Sequence, residues 1–183
     1  DDLEELFERV KRLLERNNEV SKKLEDDVRK LIEDNERRVE RVHRENEKEL
    51  RRIEDLKRRG EIREKDVKRA LEEIKRSLDE LLKHSKDVLE EIEKLLRDSE
   101  EHSKTVLKEI EDLLRDILRK DKDSERVRRL VEELRKLLED SLEKNKRLVD
   151  ELRKRAERSL REVRKLVERS KREAERVLEE VRK

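Results

Sequence analysis

An 18-residue repeat runs through this chain, and it limits the possible folds more than any other feature. HSKDVLEEIEKLLRD, beginning at His84, returns as HSKTVLKEIEDLLRD, beginning at His102. RLVEELRK from Arg129 returns as RLVDELRK from Arg147. The first third is looser, but Leu6/Leu24, Val10/Val28, Leu13-Leu14/Leu31-Ile32 and Asn17/Asn35 keep the same interval. Eighteen residues make about five turns of an α-helix, so positions that recur at this spacing stack on one face of a nearly straight, untwisted rod.

Composition alone points elsewhere. Charged residues are 60% of the chain and apolar residues 30%, a balance typical of disorder. The apolar residues recur in steps of three and four, however, and that periodicity requires a buried helical face. Lys and Arg number 55 against 54 Asp and Glu, so the net charge of +1 exerts no long-range pull on nucleic acid or an anionic membrane. Phe7 is the single aromatic, which leaves no platform for stacking bases. Without cysteine there is no disulfide framework and no thiolate chemistry. No apolar run approaches the roughly 20 residues of a membrane span, and no signal-peptide core opens the chain. The expectation is a soluble protein, cytoplasmic if made recombinantly. The absence of an initiator Met predicts a processed or tag-cleaved chain.

Three helices are expected, over about 2–59, 64–119 and 124–182, forming one up-down-up antiparallel bundle across 1–183. On the first, the core face runs through Leu6, Val10, Leu13/Leu14, Asn17, Ser21, Leu24, Val28, Leu31, Asn35, Val39, Val42, Asn46, Leu50 and Ile53. Gly60, the only glycine, follows the basic turn Lys57-Arg58-Arg59 and reads as a helix stop. Ile62 and Val67 fit a hydrophobic staple, which makes Arg63 the N-cap, a poor residue for that position. The second connection, Lys120-Asp121-Lys122-Asp123, has neither Gly nor Pro, and Asp123 or Ser124 can cap the third helix. The third helix carries the most regular stripe, from Val127, Val131, Leu134 and Leu138 through to Val181, widened by Leu142, Leu160 and Leu178. A single solvated helix is the competing fold. It requires neither an unbroken apolar face nor repeated turn signals.

The unusual residues are polar ones lying on or beside the apolar stripes. With the connections centred near 61 and 122, antiparallel packing gathers them into three cross-sections. The first holds Asn17, Ser21, Ser99, His102, Ser103, Ser141 and Asn145, with Ser99 opposite Asn145. The second holds Asn35, His84, Ser85 and Ser159. The third holds His43, Asn46, Ser77 and Ser170. A buried polar group left unpaired costs about 1–3 kcal/mol, so each layer penalises any helix register that strands its members.

Other uses of these residues fit less well. His43, His84 and His102 have no His partner one turn away, and the carboxylates lie mostly on solvated faces, so no metal site is expected. Adjacent pairs such as His84-Ser85 and His102-Ser103 point about 100° apart on a helix, with no implied oxyanion hole, so no catalysis is expected. No cofactor is expected, because the only small apolar positions are Gly60, Ala70, Ala156 and Ala174. Neutral imidazoles buried at His84 and His102 would make stability respond to pH.

This vocabulary resembles that of de novo designed helical bundles. The surface is Glu, Lys, Arg and Asp, the core is Leu, Ile and Val, and isolated Asn, Ser and His interrupt the core. The resemblance covers the whole chain and implies a scaffold with no natural biochemical task. Spectrin repeats are a natural look-alike, but no core Trp is present here. No partner is required for the expected monomer, since apolar residues supply about one side chain per helical turn, enough for three helices. The alternative is an interaction module, either a homo-oligomer or a split bundle awaiting a helix. In that case Leu14, Ile32, Leu50, Leu142, Leu160 and Leu178 form an exposed seam.

Overall fold

The computed structural model describes residues 2–183, so only Asp1 of the expected domain 1–183 lies outside the described residues. The chain is all-α, with α1 over Asp2–Arg58, α2 over Glu64–Lys120 and α3 over Glu125–Arg182. Leu, Glu, Lys and Arg, all good helix formers, dominate each element. Each helix carries acid in its first turn and base in its last, from Asp2, Glu4 and Glu5 to Lys57 and Arg58 in α1, matching the helix dipole.

The connections show why the helices stop where they do. Gly60 adopts φ +68°, its N–H bonds the Lys57 carbonyl at 3.0 Å, and Glu61 N–H bonds the Leu56 carbonyl at 3.1 Å. This pair of bonds closes a Schellman cap, with Arg59 as the C-cap rather than the last helical residue. Arg63 does serve as the N-cap of α2: its carbonyl accepts from Asp66 and Val67 N–H at 3.1 and 3.2 Å. At α3 the choice falls on Ser124, whose Oγ accepts from Val127 N–H at 3.3 Å. The helix therefore begins at Glu125, one residue later than expected, and α2 continues one residue further, to Lys120.

The chain packs as two compact units. One comprises Asp1–Arg29 with Ile92–Lys154, the other Lys30–Glu91 with Arg155–Lys183, and each helix contributes to both. In the first unit, Val10, Leu14, Val106, Ile110, Leu114, Val131 and Leu138 belong to one apolar cluster. In the second, Leu50, Ile53, Leu71, Leu78, Leu81, Val163 and Val177 belong to another. Cross-helix ion pairs show the antiparallel sense of α2 and α3: Arg153 meets Glu93 in the first unit, and Arg182 meets Glu64 in the second.

Of the residues expected on an exposed seam if the chain awaits a helix, four lie in the core and two pack beside it. Leu14, Ile32, Leu50 and Leu160 are buried, while Leu142 and Leu178 pack against the two clusters. The exposed large apolar side chains are Leu130 and Leu137, 37% and 56% accessible, both on α3 in the first unit.

Candidate functional site

The polar positions replace apolar ones at fixed places in the repeat. Asn17 and Asn35 precede Ile53 at the same 18-residue interval, Val67 precedes Ser85 and Ser103, and Val127, Asn145, Val163 and Val181 form one series. Helical periodicity therefore turns each polar side chain inward, and Asn17, Asn35, Asn46, Ser85, Ser99, Ser103, Asn145 and Ser170 are all buried.

In the first unit these side chains join all three helices. Asn145 of α3 donates from Nδ2 to Ser103 Oγ of α2 at 2.7 Å, and its Oδ1 accepts from Ser21 Oγ of α1 at 2.8 Å. One carboxamide thus uses both ends to connect two neighbours. Ser21 also shares its hydroxyl with the Asn17 carbonyl of its own helix at 3.0 Å. Asn17 donates to Ser141 Oγ at 3.3 Å, and Ser141 donates to Asn18 Oδ1 at 2.9 Å. This network lies where the apolar cluster ends, one turn past Leu14, Val106 and Leu138.

Several members differ from the expected first layer. Asn145 bonds Ser103 instead of Ser99, one turn away, because the axial offset between α2 and α3 comes from their connection and not from the repeat. Ser141 bonds α1 rather than α2. Ser99 is buried but bonds no other layer member among the described residues. His102 is half-buried, and its Nε2 is enclosed without a partner. Asn18 was not among the expected residues. As an uncharged polar residue beside a core asparagine on an otherwise charged flank, it carried a readable signal.

The second unit holds a smaller site. Asn35 Nδ2 donates to Ser85 Oγ at 3.1 Å, and Ser85 Oγ returns a longer bond to Asn35 Oδ1 at 3.4 Å. His84 and Ser159 are half-buried and take no part in this pair. The four residues of the expected third cross-section are not joined. His43 pairs with Glu47 of its own helix at 2.9 Å, drawn outward by a carboxylate one turn along. Asn46 is buried with Nδ2 unpartnered, and Ser77 and Ser170 make no bond to it among the described residues. His84 and His102, expected as buried rings, both retain intermediate exposure.

An ion-pair clamp accompanies the network. Arg153 donates from Nε to Glu93 Oε1 at 3.1 Å and from Nη2 to Glu100 Oε1 at 3.0 Å, so one α3 guanidinium holds two α2 carboxylates. The Glu100 bond raises the Arg153 pKa above its ordinary value, desolvation opposes the shift, and Glu93 adds to it. While both glutamates are ionised, a raised arginine pKa contributes stability that is fully present below the unfolded arginine value and is lost only as pH rises through the folded one, so titration of Arg153 adds no pH dependence near neutrality. Arg135 holds the matching place in the preceding repeat, so nothing in the sequence marked Arg153 as special.

Among the described residues, no group of three or more His, Cys, Asp or Glu is arranged to hold a metal ion, and no helix is long and apolar enough to cross a membrane. No protein-family model matches the chain, and no curated protein matches it. Among solved structures the chain is similar to one described as a computationally designed three-helix bundle. The two are 20% identical, the match covers 99% of this chain and 87% of that chain, and the TM-score is 0.43.

Proposed function

We propose that this chain is a designed, non-catalytic scaffold, a single domain over 1–183, in which buried Asn and Ser contacts specify helix register. The observation that carries this reading is the Ser21–Asn145–Ser103 connection, in which one side chain satisfies donors and acceptors from two other helices. The physical reason lies in the repeat. An apolar face with Leu or Val at every turn accepts a slip of one turn with modest loss, since one aliphatic side chain replaces another. A polar contact tolerates that slip less well: about 5.4 Å of translation parts donor from acceptor, and a shift of α2 that brought Ser99 to Asn145 would leave Ser103 buried without its partner.

The test is Asn145→Val, which installs the residue found at Val127, Val163 and Val181 in the same series. The substitution leaves Ser21 and Ser103 without their interhelical partner. The expected result is a single set of backbone amide resonances for the parent chain and doubled or broadened sets for the variant around residues 17–24 and 99–106. A variant with one undisturbed set and unchanged stability would show that apolar packing alone selects the register.

A further inference from the structure

A groove of about 380 Å³ opens between α2 and α3 in the first unit, beside the polar network. Its floor is apolar, formed by Leu107, Leu142 and Val149. Two cations, Lys104 and Lys146, stand over it, one from each helix. Neither has a carboxylate within ion-pairing distance among the described residues. The acids of the groove are taken by a third lining cation, Arg153: Glu100 accepts from it at 3.0 Å, and Asp150 lies 3.9 Å from the same guanidinium. Ser103 also lines the groove, 7% exposed. Its Oγ accepts from Asn145, but its own hydrogen goes to no acceptor among the described residues.

We infer that this groove is a binding site for an anionic amphiphile, a carboxylate or sulfonate head on an apolar body. The apolar floor takes the body, and burial there removes hydrocarbon from water. The two lysines supply the positive potential that favours an acidic head over a neutral or cationic one. The Ser103 hydroxyl offers the head a donor that the protein leaves unused, and a buried donor gains from acquiring an acceptor. The groove shares Ser103 and Asn145 with the register network, but Lys104, Lys146 and the apolar floor take no part in that network, so loss of dye binding in the lysine variants and loss of register in Asn145→Val are distinguishable outcomes.

Two probes test it on the full chain, anilinonaphthalene sulfonate by fluorescence and dodecanoate by displacement of that dye below its micelle concentration. Without Trp or Tyr the protein adds little background emission. The expected result is saturable one-to-one binding of the dye, competed by dodecanoate but not by dodecyltrimethylammonium, which carries the same tail with the opposite charge. In the double variant Lys104→Gln/Lys146→Gln, both changes lie at exposed positions, so the helix signal should be retained while binding weakens at least tenfold. Absence of saturable binding would overturn the proposal, as would equal competition by the cationic amphiphile or unchanged affinity in the double variant. Should the double variant lose helix signal, the single changes Lys104→Gln and Lys146→Gln each provide the same comparison, with a threefold or greater loss expected and no loss counting against the site.

Discussion

Two asparagines on α1 occupy buried sites with different outcomes. Asn35 lies against Ser85 and exchanges hydrogen bonds with it. Asn46 stands at the place held by Val10 and Val28 in the repeat, both fully buried, and its Nδ2 meets no acceptor. A buried amide without a partner loses its hydration and gains nothing in exchange. Asn46→Val restores the repeat at this position and should stabilise the protein by about 1–2 kcal/mol. Guanidinium unfolding followed by circular dichroism measures this as a higher midpoint with an unchanged slope. A lower midpoint would mean that Asn46 has a partner that matters. The same reasoning applies less directly to His102, whose ring also contributes packing around its enclosed Nε2.

At the scale of elements, the two connections stop and start helices by different chemistry. The first depends on backbone conformation, with Gly60 at φ +68° and its Schellman bonds closing α1. Apart from Gly60 itself and its two chain neighbours, no heavy atom lies within 4 Å of where a Cβ on Gly60 would stand, so a side chain there meets no steric obstacle beyond the local backbone. Gly60→Ala should therefore cost the left-handed penalty alone, about 1–2 kcal/mol, with helix content unchanged at low denaturant. A loss well above that range would show that the connection also positions neighbouring packing. The second connection depends on a side chain, Ser124 Oγ, supported by Arg128 Nη2 donating to the Lys122 carbonyl at 2.8 Å. Both connections were recognisable in the sequence, because glycine and serine in these contexts have few other uses. The choice of Ser124 over Asp123 became clear only once the Val127 N–H had a position.

For the molecule as a whole, Leu14, Ile32, Leu50 and Leu160, expected on an exposed seam if the chain awaits a partner helix, are buried. Light scattering with refractive-index detection should return 22.6 kDa independent of concentration. A larger, concentration-dependent mass would direct attention to Leu130 and Leu137, and Leu130→Lys/Leu137→Lys would then restore the lower value. Sequence by itself determined which residues turn inward, because the direction of a side chain around a helix follows from counting residues at a fixed angle. That is why Asn17, Asn35, Asn46 and Asn145 could all be assigned to the core in advance, and why three helices and two connections were apparent. Tertiary structure alone decided who meets whom along the helix axes. Axial offset depends on the geometry of a connection and on side-chain packing, neither of which repeats, and aliphatic faces tolerate offsets differing by one turn. Asn145 consequently found Ser103 and not Ser99, Ser141 found Asn18 across to α1, Arg153 gathered two glutamates, and the third set of polar residues did not assemble.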